Sequence, residues 1–249
     1  EFRRVLFRSI VFYVLIYIKA QISVESPQVA RFIDNFQVTG TGEGYRQFLE
    51  TQSRAILILL AYAGVVLVAG DYRSGGVSFY LSKPIGKFHY VVGKTMALLV
   101  IVGLLTLLPG VILFLEYGLF TNSAQYWIDN PRILAGIAGY SLLIMIVPSL
   151  LVLALGAVCR RGAALVLVWC SVFLVLPIFG SLLRAVFESP DWLLINLWRN
   201  LELLGKFCFG QIDQKVQRHG WPAFGIVLGV CVGSIALLHT KLKAVEVVE

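Results

Sequence analysis

The sequence predicts an all-α, polytopic membrane protein with six membrane-spanning helices, and three observations lead there. The chain has 249 residues, of which 58% are hydrophobic and only 14% charged, and its mean hydropathy is +0.83. A soluble domain of this length is nearer half apolar and a quarter charged. The apolar residues gather in runs approaching twenty, long enough to cross a hydrocarbon core. Finally, the basic residues concentrate on alternate connecting segments, as they do when one side of a membrane retains them.

The six apolar spans fall at about 5–20, 55–70, 96–116, 133–158, 163–186 and 222–240, within a single transmembrane domain covering 1–249. The first is interrupted by Arg8 and reads as a shortened span. The chain opens on Glu1-Phe2, the dipeptide an EcoRI site encodes, so its first residues carry little weight. A signal peptide is the other reading of this stretch. Lys19 stands in the would-be cleavage region with no small-x-small site before it, which favours the span.

Charge sets the expected orientation. With the N-terminus, 71–95, 159–162 and the C-terminal tail on one side, that side holds eleven basic and four acidic residues, a net +7. The other side holds ten of each in loops nearly twice as long. The first side is therefore expected to be cytoplasmic, with both termini there. Trp127, Trp192, Trp198 and Trp221 then fall near the outer interface, where aromatic belts form.

Spans three, four and five each carry one proline, Pro109, Pro148 and Pro177, expected at kinks. Segment 187–221 opens on Ser189-Pro190, a helix start. Leu194, Leu197, Trp198, Leu201 and Leu204 then form one apolar stripe, with Asn196, Arg199, Asn200 and Lys206 off it. Two readings stand: an amphipathic helix in or dipping into the outer leaflet, or a helix packed over the outer end of the bundle. In the last span Gly225, Gly229 and Gly233 recur every four residues, a stripe for close helix packing within or between subunits. Cys159, Cys170, Cys208 and Cys231 have no metal-ligand spacing and read as small membrane residues.

Several chemistries are missing. Gly93-Lys94-Thr95 ends like a phosphate-binding loop, but Phe88 stands where that loop needs its first glycine. Gly40, Gly42 and Gly44 belong to turn chemistry in an outer segment. His89, His219 and His239 have no metal-ligand companions at helical spacing, and no catalytic carboxylate pair lies within a span. As delimited above, spans two to six also lack a central charge of the sort ion-driven carriers place near the midplane. A membrane enzyme and an ion-driven carrier are both disfavoured.

Segment 71–95 carries the most information. It holds Asp71, Arg73, Gly75-Gly76, Leu81-Ser82-Lys83-Pro84-Ile85, Lys87, Tyr90 and Gly93-Lys94. Ser82 caps a helix whose first turn takes Pro84, with Ile85, Phe88, Val91 and Val92 at helical spacing. On periodicity alone this is a loop leading into a helix with snorkelling lysines. The motif, and its position after the second span, resembles the first cytoplasmic loop of ABC-2 type transporter permeases. There an acidic residue and a Gly-Thr pair precede Leu-Ser-x-Pro-Ile, a basic residue and Gly-Lys. Here Val77 follows the glycines, and Gly86-Lys87 replaces the usual Ser-Arg.

The resemblance implies an ABC-2 (type V exporter-like) permease fold with re-entrant helices between spans five and six. It also implies a bacterial plasma-membrane location and work with cytosolic ATP-binding subunits and a second permease subunit. ATP and Mg would be held by the partner, with no cofactor, metal or nucleic acid bound here. Asp71, Arg73, Ser82, Lys83, Pro84, Lys87 and Lys94 would couple to the ATPase, with Arg160-Arg161 as a smaller contact. An assembly factor that recruits an ATPase without transporting, and an ATP-independent carrier, are the alternatives.

Overall fold

A computed structural model of the protein describes residues 40–70, 87–120, 124–159 and 161–243. All regular structure among them is helical. Five helical stretches are long and apolar enough to cross a membrane: Gly42–Leu67, His89–Leu119, Pro131–Cys159, Gly162–Phe187 and Gln214–Lys241. The span expected at 5–20 lies outside the described residues.

Helix α1 (Gly42–Gly64) begins where Thr41 Oγ1 accepts the Gly44 N–H at 3.4 Å, and it runs on through a π turn at Val65–Ala69. Residues 42–54, expected to belong to an outer connecting segment, are its first turns. A hydropathy reading misses them because the polar side chains satisfy one another along the helix. Arg46 pairs with Glu43 and Glu50, and Gln47 Nε2 donates to Glu43 at 2.7 Å.

Helices α2 (Lys87–Leu105) and α3 (Leu107–Phe120) form one long rod with a break at Thr106. Pro109 causes the break. Its ring has no N–H to offer the carbonyl four residues back, so the ladder loosens there. The Thr106 N–H is shared between the carbonyls of Val102 (3.0 Å) and Gly103 (3.3 Å). Short α4 (Ala124–Asp129) leads into α5 (Pro131–Cys159), which keeps Pro148 inside a continuous helix.

Helices α6 (Gly162–Cys170) and α7 (Leu176–Phe187) are separated by a second π turn, Ser171–Val175, which absorbs the carbonyl freed by Pro177. Glu188, at φ 51°, ends α7. The chain then reverses: a 3₁₀ turn, Pro190–Ile195, packs back along α7, and a Cβ on Gly180 would stand 3.0 Å from the Trp192 carbonyl oxygen.

Helix α8 (Leu197–Cys208) is capped by Asn196, whose Oδ1 accepts the N–H groups of Trp198 (3.0 Å) and Arg199 (3.2 Å). Its apolar stripe, Leu197, Trp198, Leu201 and Leu204, buries itself with Val147 and Val227. Val147 lies near the middle of α5, so α8 starts inside the bundle and climbs back toward the end where Phe187 lies. The stretch 188–208 is thus a re-entrant hairpin. Asn200, read from sequence as off the stripe, is fully buried, and its Nδ2 donates to the Leu194 carbonyl at 2.8 Å. The last helix, α9 (Gln214–Lys243), is started by Asp213, which accepts the Val216 N–H at 2.8 Å.

Helix α5 is the hub and packs on α1, α2, α3, α6, α8 and α9. Its Ile137, Tyr140 and Ile144 are completely buried. Among the described residues the bundle has two ends. The loop end gathers Gly70, Lys87, Cys159 and Arg161, and the cap end gathers Gly42, α4, the re-entrant hairpin and the start of α9.

Candidate coupling surface and cap-end polar cluster

Of the residues singled out for coupling, Lys87, Lys94 and Arg161 are described, and they lie at the loop end or next to it. Asp71, Arg73, Ser82, Lys83, Pro84 and Arg160 are outside the described residues. Lys87 is the first residue of α2, the helix that leaves the loop. Lys94 stands two turns in and half-buried, its Nζ 5.9 Å from the centre of the Tyr90 ring, a cation–π distance. Arg161 is exposed in extended backbone immediately before α6, and its carbonyl accepts the Leu165 N–H at 3.0 Å. The loop end is therefore entered by α1 and left by α2, and both helices rest on α5.

The glycine stripe does not pack helices together within the described chain. A Cβ built on Gly225, Gly229 or Gly233 would have nothing within 4 Å. The stripe faces outward from α9 because that helix touches α5 and α8 through Ala223, Val227, Ser234 and Leu238 on its other side. Close approach occurs at other glycines. A Cβ on Gly205 would stand 2.7 Å from the Tyr140 ring, and one on Gly136 would stand 2.6 Å from the Phe209 ring. Both contacts lie between α5 and the re-entrant hairpin, and neither glycine belongs to a regular sequence stripe that could have drawn attention to it.

A second feature escaped the sequence reading. Arg46, 7% exposed, is held by Glu43 and Glu50 on its own helix, and its Nε donates to Gln211 Oε1 at 2.9 Å. It thereby ties α1 to the turn after α8. Once α1 is extended back to Gly42, the helix carries Arg46, Glu50 and the exposed Arg54, so the second span is less free of charge than its apolar core indicated. The spacing Glu43-x-x-Arg46-x-x-x-Glu50 was the available signal: three groups on one helix face.

The cap end holds further polar ties. Lys206 Nζ meets Asp213 Oδ2 at 2.8 Å and holds that carboxyl below the usual aspartate range. His219 Nε2 lies 3.0 Å from Asp191 Oδ1 and does the same there, with help from Arg218. Tyr126 donates to the Gly40 carbonyl at 2.7 Å and closes α4 over the start of α1. Among the described residues no three His, Cys, Asp or Glu side chains gather to hold a metal ion. These ties brace α1, α4, α8 and α9 against their neighbours.

Compared with protein families, residues 4–191 match the ABC-2 family transporter protein. That is three quarters of the sequence. The chain belongs to the ABC-2 transporter family. Comparison with curated proteins gives no match. The family match takes in the whole of segment 71–95 and the helices on both sides of it. It stops at Asp191, where the re-entrant hairpin begins. This ABC-2 protein is thus a multi-pass, all-helical membrane component of the transporter class.

Proposed function

We propose that this ABC-2 protein is the transmembrane permease subunit of an ATP-binding cassette transporter, driven by ATP that a separate cytosolic subunit hydrolyses. The observation that carries the reading is the family match over 4–191, which includes the loop singled out by its Leu-Ser-x-Pro-Ile motif. In this reading the loop end is cytoplasmic, as the excess of basic residues there implies. Two copies, or this chain and a similar one, meet two ATP-binding subunits. Segment 71–95 is the contact with the ATPase, and Arg160-Arg161 is a smaller one. Their role is mechanical and electrostatic; ATP and Mg belong to the partner.

The packing offers a route for the motion. A push on the loop acts on α2 at Lys87 and on α1 at Gly70, and both helices rest on α5. Helix α5 in turn carries α8 and α9. Rigid helices packed on a shared hub move as bodies more readily than they deform, which is how closure at one end becomes tilt at the other.

Two measurements test this reading. Purified without any second subunit, the chain is expected to show no nucleotide binding and no hydrolysis above background. Stoichiometric ATP binding by such a preparation would overturn the permease assignment. The orientation is tested by cysteine labelling. Cys208 is a poor reporter because it is half-buried, with its thiol pushed up by burial. Ile212 is exposed at the cap end and Arg161 at the loop end. In a cysteine-free background, an impermeant maleimide applied to intact cells is expected to label Ile212→Cys and spare Arg161→Cys. The reverse pattern would invert the topology.

A further inference from the structure

Helix α1 turns one face away from the bundle. Ile58, Tyr62 and Val66 are exposed on it at four-residue spacing, and four residues before Ile58 the same face carries Arg54, also exposed. Above Arg54 the face continues through Thr51 and Gln47 to the exposed Glu43, so it is polar toward the cap end and apolar toward the loop end. The outward face of α7 shows no such change. Its Leu174, Ile178, Leu182 and Val186, at the same spacing, are all exposed and all apolar, as a lipid-facing side should be. Within Gly42–Leu67, Arg54 has twelve residues before it and thirteen after. It therefore stands about 18 Å along the axis from Gly42, farther than a side chain reaches. Contacts fix its level. Leu49 meets Gly110 beside Ile137, six residues into α5, and the Leu57 carbonyl accepts from Trp169, seven residues into α6. Arg54 lies between these two levels, in the part of the bundle that crosses the membrane.

Taking the permease reading above, we propose that this face of α1 lines a water-filled path open from the cap end, and that Arg54 binds an anionic group, a carboxylate or a phosphate, of the molecule transported. A guanidinium set against lipid at this depth is costly, and charges within a membrane face water or a partner instead. Among the described residues Arg54 has no ion pair or hydrogen bond, and Glu50, one turn above, is held by Arg46. The apolar run 5–20, outside the described residues, contains Arg8 and Lys19 and no acid. A second copy of the chain would bring no acid to this level either. The exposed acids among the described residues, Glu43, Asp129, Glu188, Asp191 and Asp213, all stand at the cap end, and by sequence the acids outside them fall in connecting segments or at the chain ends. The counter-charge is therefore left to a ligand. A guanidinium offers an oxyanion two parallel donors, and a narrow path with apolar walls concentrates anions around one positive charge. Thr51 and Gln47 give the path polar side chains between Arg54 and the cap end.

The test is made in unsealed native membranes, which hold the assembled protein and admit reagent from both sides. In a cysteine-free background, Thr51→Cys and Ile58→Cys flank Arg54 on the path, and Ile178→Cys and Leu182→Cys report the outward side of α7. Each variant is treated with an anionic and with a cationic methanethiosulfonate, reagents that modify thiols reached by water. The anionic reagent is expected to modify Thr51→Cys and Ile58→Cys at least about tenfold faster than the two α7 positions. At Ile58→Cys its rate relative to the cationic reagent is expected to fall about tenfold when Arg54→Gln is added, the lower end of what a focused charge does to a local ion concentration. Arg54→Lys is expected to keep that ratio, which separates charge from folding. Rates at Thr51→Cys and Ile58→Cys no higher than on α7 would overturn the proposal and show that lipid, residues 1–39 or a second copy covers the face. An unchanged ratio in Arg54→Gln would overturn it as well. Labelling needs neither ATP nor an ATPase, so the two readings fail separately. A path found in a chain that binds ATP by itself would remove the permease reading and keep the path, and no path in a chain that does not would do the reverse.

Discussion

On the permease function proposed above, reversing charge at Lys83 and Lys87 together is expected to abolish co-purification of this ABC-2 protein with an ATP-binding subunit while leaving its amount in the membrane unchanged. Lys87 opens α2, and Lys83 precedes it by one turn of sequence, beside Pro84. If their partner surface is acidic, two glutamates place like charge against like charge, at several kcal/mol across an interface. On this reading the lysines are surface charges, and substitutions of surface charges away from packed features usually cost folding less than about 0.5 kcal/mol. The two readouts must therefore separate, with normal insertion and lost complex. Lysines that merely snorkel at a membrane surface predict no change, or a fall in protein level alone. A Lys83→Glu, Lys87→Glu variant that binds its ATPase as the parent does would remove this loop from the coupling surface.

The second large effect belongs to a glycine. Gly205→Leu is expected to lower the melting temperature of the detergent-solubilised protein, and Gly229→Leu to leave it level with the parent or slightly above. A Cβ at 205 would lie 2.7–2.8 Å from three atoms of the Tyr140 ring. That ring is fully buried on the hub helix and cannot swing into solvent. Overpacking of this kind costs about 1–3 kcal/mol, and the gain of roughly 1 kcal/mol in helix propensity from replacing glycine only partly offsets it. Position 229 offers the gain without the clash, since nothing lies within 4 Å. Thermal melts of the two variants beside the parent decide the matter, and equal melts for parent and Gly205→Leu would show that Tyr140 yields. Any loss of stability in Gly229→Leu must act through a second copy or through residues outside the described ones, and a shift in elution volume without a fall in melting temperature would expose the first.

Apolar run length made the membrane class legible. A 20-residue hydrophobic segment has few other uses. The family was legible in a short motif because its residue types, paired glycines, Leu-Ser-x-Pro-Ile and Gly-Lys, stand in order at Gly75-Gly76, Leu81–Ile85 and Gly93-Lys94. Less legible was where α1 begins. Arg46, Glu43 and Glu50 neutralise one another, and a hydropathy scale charges each as if it stood alone. The depth of α8 was hidden for a related reason. An amphipathic stripe looks the same whether it meets lipid headgroups or Val147 in the centre of a bundle. Asn200 was placed on the wrong side because its partner, the Leu194 carbonyl, belongs to a 3₁₀ turn that a helical wheel does not contain. The regular glycine stripe meets nothing within 4 Å among the described residues. Contact is made at Gly136 and Gly205, one on each of two helices, and a pairing between distant segments leaves no periodic trace in either.

The π turn at Ser171–Val175 has a consequence for how one span serves two neighbours. An uninterrupted α-helix would put Gly180 on nearly the same side as Trp169, eleven residues earlier. The wider turn unwinds the rod by roughly a quarter of a revolution. The half near Arg161 consequently keeps its indole against α1, with Trp169 Nε1 donating to the Leu57 carbonyl at 3.0 Å. The half near Phe187 instead offers Gly180 to the returning strand of chain at Trp192. Winding the same five residues as ordinary α-helix, with none removed, would swing Gly180 toward α1. The re-entrant hairpin would then lose the seat it folds onto, although every residue that forms the hairpin itself would be intact.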